Sequence, residues 1–198
     1  VYDRVMSTVS PRLMLKITDG LAATDYGKQV ASLESIGAVC VVFALKQSLL
    51  TDGTYWLNLP ATSPDKTKSQ FPFLALVEHT NWMDKAHYNG DVLVYCGDYI
   101  PVDHEYLTMP EQDLAQRFMG QLARFNPDFS SNWVRKWWVF RAPYAQPVSG
   151  VNHSAKVPAI KTPLPGVFWA SMSQVYPWDR GTNFAVEIGR RTAKLMLE

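Results

Sequence analysis

A helix near the end of the chain is predicted to start directly after a polar loop, and this start is the first candidate for chemistry. Residues 166–170 predict a short apolar strand, and Thr182 is predicted to cap the helix that follows. The first backbone N–H groups of a helix have no partner within it, and the helix dipole is positive there. A strand, loop and helix in this order suit a phosphate or an electron-rich ring carbonyl.

The residues around this helix start also have simpler explanations. Gly181 would let the backbone approach a ligand closely, and Arg180 could donate to a ring carbonyl or a substrate carboxylate. An ordinary helix start explains Gly181 and Thr182 equally well, and a surface ion pair with Asp179 explains Arg180. Spacing alone does not decide between these interpretations.

A second polar group, Glu78-His79-Thr80-Asn81-Trp82, lies at the predicted end of a strand, where substrate contacts often occur. His79 could act as an acid or a base beside the carboxylates of Glu78 and Asp84. The alternative is a hydrogen-bonded histidine with a structural role, because nothing in the sequence shows that these groups converge. No catalytic residue is therefore assigned.

The histidines and cysteines do not predict a metal site or a disulfide. The four histidines have no ligand spacing with one another or with cysteine. Cys40 and Cys96 both lie in apolar runs typical of strands, where buried free thiols are commoner than a bridge. Reduced thiols make a cytoplasmic location the default expectation.

Composition excludes two classes of partner. The 198 residues carry 19 basic and 18 acidic side chains, a net charge of +1, so no overall field favours nucleic acid or an anionic membrane. No apolar run reaches the roughly 18 residues that a membrane-spanning helix needs. With 47% hydrophobic residues, the chain can bury a sizeable core as one domain or as a domain with an appendage.

The middle of the chain predicts strands interrupted by a few helices. Residues 37–45 are too apolar for a strand with one solvated face, so they predict a central strand, and the Asp52-Gly53 turn suggests that it pairs with residues 55–59. One helix is predicted over residues 24–33, with Thr24 or Asp25 as its cap. A second is predicted to begin with Thr108 as its cap and to end at Asn126-Pro127, with one apolar face formed by Leu114, Phe118, Leu122 and Phe125. The remaining predicted segments are strands at 73–80, 91–99 and 134–142 and a long crossing segment at 143–165.

The C-terminal third carries a motif, Pro-Gly-Val-Phe-Trp-Ala followed by Tyr-Pro-x-Asp-Arg-Gly-Thr-Asn-x-Ala-Val-x-x-Gly-Arg. It resembles the C-terminal flavin motif of the FAD-dependent amine oxidase, protoporphyrinogen oxidase and phytoene desaturase superfamily. The segment Asp3-Arg4-Val5-Met6 is similar to the strand that leads out of the dinucleotide-binding domain there. The match is close at the C-terminus and looser in the middle of the chain.

The resemblance implies which residues meet the cofactor and the substrate. The residues expected to line the flavin are Ser171, Met172, Tyr176, Arg180, Gly181, Thr182 and Asn183. Those expected to contact the substrate are His79, Asn81, Trp82, Tyr144 and Gln146. The superfamily strand usually ends in Ala-Gly-Asp or Ala-Gly-Glu, whereas this chain has Ala170-Ser171-Met172, so the acidic contact is absent.

The expected fold is α+β, with a mixed or mainly antiparallel substrate-domain sheet flanked by helices and a returning strand–helix piece of a Rossmann-like domain. Residues 1–12 are interpreted as the exit from the FAD-binding domain, 13–145 as the substrate-binding domain, and 146–198 as the crossing segment and C-terminal strand–helix of the FAD-binding domain. Aromatic residues cluster before the crossing segment, which suits core packing or a cavity for a bulky, planar or isoprenoid substrate: Trp133, Trp137, Trp138, Phe140 and Tyr144.

The glycine-rich loop Gly-x-Gly-x-x-Gly, which binds the pyrophosphate of a dinucleotide, does not occur in these residues. We therefore interpret the chain as a fragment that holds no FAD and is inactive alone, whereas the parent protein binds FAD and contributes the N-terminal half of the cofactor domain. The function implied for the parent is oxidation of a bulky apolar or amine substrate by hydride transfer to flavin. Two alternatives remain open: a non-redox binding module with a decayed flavin site, and a flavin-dependent sugar isomerase of the galactopyranose mutase type. A small-molecule substrate is the expected partner, and a second copy of the chain is an open alternative.

Overall fold

The structure, a computed structural model, describes residues 2–63, 68–178 and 181–198. In chain order, the strands and α-helices are β1 (Val5–Ser7), α1 (Pro11–Ile17), α2 (Asp25–Ala31), β2 (Glu34–Leu45), β3 (Trp56–Asn58), β4 (Ala75–Glu78), β5 (Val92–Ile100), α3 (Glu111–Met119), β6 (Val134–Val148), α4 (His153–Lys156), β7 (Val167–Trp169) and α5 (Thr182–Leu197). Two units are formed: a central unit, Gly37–Ala145, and a terminal unit that combines the chain up to Ile36 with Gln146–Glu198. The sequence-based division at 145/146 coincides with one of these boundaries, whereas residues 13–36 lie in the terminal unit.

The larger sheet has five strands in the order β3-β4-β5-β2-β6. The pairs β3–β4, β4–β5 and β2–β5 are all antiparallel. This architecture confirms the predicted α+β class with a mainly antiparallel sheet, and β2 has a strand on each side, as its apolar sequence predicted.

The predicted pairing of residues 38–45 with residues 55–59 is wrong, because β3 pairs with β4 instead. The Asp52-Gly53 turn does form, with Gly53 at a φ of 82° and the Thr54 N–H donated to the Asp52 carboxylate at 3.0 Å. It belongs to a longer loop, however, and the buried carboxylate of Glu78 binds that loop at Leu49 and Leu50. The loop therefore leads β3 to the far side of β4.

One face of this sheet carries the main hydrophobic core. Alternate residues of β2, including Val39, Val41 and Phe43, are buried there and share a cluster with Leu114 and Phe118 of α3. Burying a side chain of this size contributes about 1.5–3 kcal/mol to stability. The other face of the sheet carries the intervening residues of the same strands, since successive side chains of a strand point to opposite faces.

Helix α3 presents the predicted apolar residues to the core but starts later than predicted. It begins at Glu111 with Pro110 in the cap position, and no side chain caps it. Thr108 instead follows the 3-10 turn Glu105–Leu107. The helix ends at Met119, and residues of the predicted last turn form a separate 3-10 turn, Leu122–Arg124.

Strand β6 is an edge strand and is longer than predicted, since it continues through Pro143 to Val148. Proline has no N–H to donate to a neighbouring strand, and at a sheet edge that loss costs little. The prediction that this strand ends at residue 142 is therefore wrong, because it treated Pro143 as a strand breaker.

In the terminal unit, β1 and β7 form a two-stranded parallel sheet in which Val5 pairs with Val167. The buried Trp169 of β7 donates its indole N–H to the Val9 carbonyl at 2.9 Å. Helix α2 has the predicted cap, because the Thr24 hydroxyl accepts the Gly27 N–H at 3.0 Å. Parallel pairing of the first and last strands fits a portion of a dinucleotide-binding sheet.

Candidate functional site

The central unit has a cavity of about 260 Å³ on the sheet face opposite the core. Its floor crosses three strands, because Gly97 of β5 lies between Cys40 of β2 and Ala75 of β4 in the ladder. These three side chains are small, and Tyr95 precedes Gly97 on the same face of β5. A depression therefore forms at Gly97, and its lining is completed by Tyr55, Trp56, Val77, His79 and Tyr95.

Aromatic rings extend from this cavity to the protein surface. The Tyr55 ring centroid lies 6.4 Å from that of Trp56 and 5.8 Å from that of Trp82. Trp82 is 70% exposed, although indole rings usually bury most of their surface. Exposed aromatic surface that continues into a cavity is typical of a binding site for a small organic molecule.

His79 is the polar group of the cavity that has ring contacts on three sides. Its Nε2 lies 2.7 Å from the Tyr88 hydroxyl. Its ring meets those of Tyr88, Tyr95 and Trp82 edge-on, with centroids 5.5, 5.8 and 6.4 Å away. No residue that the structure describes forms a hydrogen bond with Nδ1, so this atom can serve a ligand.

The carboxylates predicted to assist His79 have other roles. Glu78 is buried and accepts hydrogen bonds from the Ser48 hydroxyl at 2.7 Å and from the Leu50 N–H at 2.6 Å. Asp84 caps a 3-10 turn by accepting the Ala86 N–H at 2.9 Å. The interpretation of His79 with a carboxylate partner is therefore corrected: among the described residues, its hydrogen-bond partner is Tyr88.

Asn81 holds a loop in place, and its expected contact with substrate stays a prediction. Its amide nitrogen donates to the carbonyls of Leu50 and Thr54, each at 2.9 Å. Tyr144 and Gln146 lie on β6 and do not line the cavity described above. Of the five expected substrate residues, the structure therefore brings together His79 and Trp82.

Burial raises the pKa of two ionisable groups of the cavity, both of which are uncharged at neutral pH. Burial raises the pKa of the Cys40 thiol to about 11. The pKa of the Tyr95 hydroxyl is also raised, first by burial and then by the neighbouring Tyr88, Cys40 and Tyr55. Among the described residues, no lysine, arginine or carboxylate lines the cavity, so it suits an uncharged ligand.

Sequence reasoning missed Cys40, Tyr55, Tyr95 and Gly97 as members of this site. These residues come together only in the correct sheet register. The sequence did not define that register, and the predicted pairing of β3 was wrong. One signal was present: a glycine inside a strand often marks close approach of a ligand, and Gly97 interrupts β5 in this way.

The segment expected to line the flavin lies between β7 and α5 in the terminal unit. Ser171 and Gln174 form a capping box around a 3-10 turn, with the Ser171 N–H donated to Gln174 Oε1 at 2.8 Å. Gln174 also donates to the Pro158 carbonyl at 3.1 Å. The N–H of Ser171 is thus engaged inside the protein, and the Ser171 side chain supports this turn.

Helix α5 starts at Thr182, so the cap position belongs to Gly181 and the prediction of Thr182 as the cap is wrong. Thr182 and Asn183 are exposed, and the described residues contain no side chain that caps this helix. A Cβ at position 181 would lie 2.6 Å from Asn183 Oδ1. Because glycine has no Cβ, the side-chain amide of Asn183 can lie close to the backbone of Gly181. Arg180, also expected here, lies outside the described residues.

Two aromatic side chains precede this helix. Tyr176 is partly exposed and its ring centroid lies 5.2 Å from that of the buried His153. Trp178 stacks on Phe184 of α5 at 6.2 Å with an interplanar angle of 9°. Met172, in the first position of the 3-10 turn, is half-buried. Trp178 thus packs against the first turn of α5, and the expected contact of Met172 and Tyr176 with a flavin stays a prediction.

The described residues form neither a metal-binding cluster nor a membrane-spanning helix. In these parts of the chain, no three or more histidine, cysteine, aspartate or glutamate side chains are grouped to bind a metal ion. None of the helices in the same parts is both long and apolar enough to cross a membrane.

A two-unit chain with a parallel strand pair, an uncapped helix start and an apolar cavity fits a flavin enzyme of the oxidoreductase class. The profile of the flavin containing amine oxidoreductase family matches residues 1–197. The chain belongs to this family. No curated protein matches it in sequence.

Solved structures share the fold at low sequence identity. A protein of Exiguobacterium sp. 255-15, provisionally named a protoporphyrinogen oxidase, has a TM-score of 0.71 and 12% identity, with 98% of this chain and 41% of that chain covered. An oxidoreductase of Methanosarcina mazei has a TM-score of 0.62 and 16% identity, and the match covers 100% of this chain and 43% of that chain. A reduced UDP-galactopyranose mutase has a TM-score of 0.56 and 16% identity, and the match covers 79% of this chain and 32% of that chain. The chain thus spans less than half the length of these structures.

Proposed function

We propose that this chain is the substrate-binding part of an FAD-dependent oxidoreductase that oxidises an apolar or amine substrate by hydride transfer. The observation that carries the proposal is the cavity over Gly97, which lies in a chain of the flavin containing amine oxidoreductase family. Apolar walls with a few placed polar groups are typical of substrate sites. The absence of cations and carboxylates from its described lining favours an apolar substrate over a nucleotide sugar.

The residues of the terminal unit fit a flavin at one place. The exposed start of α5, at Gly181, Thr182 and Asn183, offers backbone N–H groups and the positive end of the helix dipole to an electron-rich ring edge. When bound, FAD supplies the hydride acceptor. The chain's own residues would orient the ring at the helix start and bind the substrate at the cavity.

We further propose that a segment outside this sequence completes the cofactor domain. Parallel strands are normally buried on both faces, yet Val5 and Met6 of β1 are 49% and 39% exposed. Additional strands and helices would cover them and supply the missing glycine-rich loop. On this basis, we expect the isolated 198-residue chain to bind no FAD and to be inactive.

The test is expression of the full-length protein that contains this chain, followed by its absorption spectrum and anaerobic titration with amines, porphyrinogens and polyenes. A flavin spectrum that bleaches with one of these compounds supports the proposal. A full-length protein without flavin would contradict it and favour the non-redox binding module. Sugar isomerisation that requires reduced flavin, without net oxidation, would favour the isomerase.

A further inference from the structure

We infer that the cavity over Gly97 binds one flat, uncharged aromatic ring system of two fused rings, with a hydrogen-bonding substituent held by His79. This inference rests on the proposal that the cavity is the substrate site. It favours a small, neutral aromatic substrate over a whole porphyrinogen or polyene.

Cavity size limits the ligand. An apolar cavity of about 150 Å³ accommodates a single benzene ring. The cavity here measures about 260 Å³, which leaves room for a second fused ring. A tetrapyrrole has four pyrrole rings and a carotenoid has a long polyene chain, so neither fits inside it as a whole.

The shape of the cavity favours a flat ligand. Its floor is made by Gly97 and the small side chains of Ala75 and Cys40, which lie opposite Gly97 on the neighbouring strands. Tyr55, Trp56 and Tyr95 contribute aromatic surface to the lining. A flat aromatic ring can lie over such a floor and contact aromatic neighbours by stacking or edge-to-face packing.

The charge of the cavity lining disfavours anionic ligands. Among the described residues, none of the lining side chains is a lysine, an arginine or a carboxylate. A buried charge without a partner is costly, whereas a neutral ring has no such penalty. A carboxylate would therefore be disfavoured at this site.

His79 supplies the polar contact. The Tyr88 hydroxyl engages Nε2 at 2.7 Å and fixes the ring, which leaves Nδ1 for the ligand. If Tyr88 donates its proton to Nε2, Nδ1 carries a hydrogen and donates; in the other tautomer, Nδ1 accepts. A hydroxyl substituent satisfies both tautomers, because it can donate or accept.

Calorimetric titration of the full-length protein with 2-naphthol, naphthalene, 2-naphthoate and 2-decalol tests the inference. We expect 2-naphthol to bind tightest and the charged 2-naphthoate to bind at least about 100-fold more weakly. The saturated, non-planar 2-decalol should bind roughly tenfold more weakly. Equal affinity for 2-naphthol, 2-decalol and 2-naphthoate would overturn the inference.

Two variants probe the floor of the cavity. A Cβ at position 97 meets only the Val39 carbonyl oxygen, at 3.7 Å, so Gly97→Ala and Gly97→Val can be made without a backbone clash. We expect a graded loss of 2-naphthol affinity, at least about tenfold for valine. Gly189→Ala in α5 is the matched control and should leave affinity unchanged. Undiminished binding by both Gly97 variants would overturn the inference.

A histidine variant probes the polar contact separately. His79→Phe should weaken 2-naphthol about 2- to 10-fold and leave naphthalene unaffected, because only the hydrogen bond is lost. Equal losses for both ligands would contradict the role of His79. If none of the tested substrates reduces the flavin, and 2-naphthol nevertheless binds as expected, the proposed oxidoreductase function fails. The binding inference then stands.

Discussion

The Glu78 carboxylate accepts the backbone N–H of Leu50 at 2.6 Å, which joins the end of β4 to the loop that follows β2. The same carboxylate accepts the Leu49 N–H and the Ser48 hydroxyl, and it is only 1% exposed. A residue that the sequence marked as a possible carboxylate partner of His79 is thus an anchor for the loop beside the cavity.

Replacing Glu78 by alanine should lower the free energy of unfolding by about 3 kcal/mol, because two buried backbone N–H groups lose a charged acceptor. Urea denaturation followed by circular dichroism measures this loss. The control is Glu34→Ala at an exposed position of β2, which should change stability by less than about 0.5 kcal/mol. Equal small effects of both variants would show that the loop does not depend on Glu78.

Gly27→Ala should destabilise the protein by about 2 kcal/mol or more, because the added methyl group has no space. A Cβ at Gly27 would lie 2.0 Å from the Leu21 carbonyl oxygen, so the backbone of α2 or of the preceding turn must move. The Gly27 N–H is also bound to the Thr24 cap. Thermal unfolding of the variant measures the loss, and an unchanged melting temperature would contradict the close packing.

Gly189→Ala is the matched substitution, since it also places alanine in a helix, but its effect should have the opposite sign. No atom lies within 4 Å of a Cβ built at Gly189. Alanine is favoured over glycine inside a helix by about 1 kcal/mol, so the free energy of unfolding should rise by that amount. The same thermal melts report the result for this chain. A loss of stability would mean that α5 does not tolerate a side chain at this position.

Cys40 should react slowly with iodoacetamide near pH 8, because its pKa is raised by burial to about 11. Relative to a thiol with a pKa of 9.0, about 100-fold less thiolate is present at that pH. Mass spectrometry of the native and urea-unfolded chain separates labelling of Cys40 from that of Cys96. Equal labelling rates in the two states would show that Cys40 is not protected by the fold.

The raised pKa also has a consequence for stability. The folded protein favours the neutral thiol, so the contribution of Cys40 to stability is fully present below pH 9 and decreases as the pH rises from about 9 to about 11. A Cys40→Ala variant, which has no thiol to ionise there, should lose less stability than the wild type over this interval.

The sequence was sufficient for features that depend on local patterns. Thr24 was correctly predicted as a helix cap, and β2 as a central strand, because capping chemistry and a continuous apolar run are readable within a few residues. The α+β class followed from the same kind of information.

Features that depend on contacts between distant residues were not predictable in this way. Glu78 binds a loop about 30 residues earlier in the chain, and this contact is not visible in local sequence patterns. Gly97, Cys40 and Ala75 become neighbours only through the register of three strands. The cavity was therefore not predictable from the sequence, although His79 and Trp82 beside it were predicted to contact the substrate.

The pairing of Val5 with Val167 bears on the order in which the chain can fold during synthesis. The central unit is one continuous segment, Gly37–Ala145, so all of its residues are synthesised before those of β7. Strand β1 must wait for a partner more than 160 residues later, at the entropic cost of closing a long loop. We therefore expect the sheet that carries the cavity to form before β1 pairs with β7.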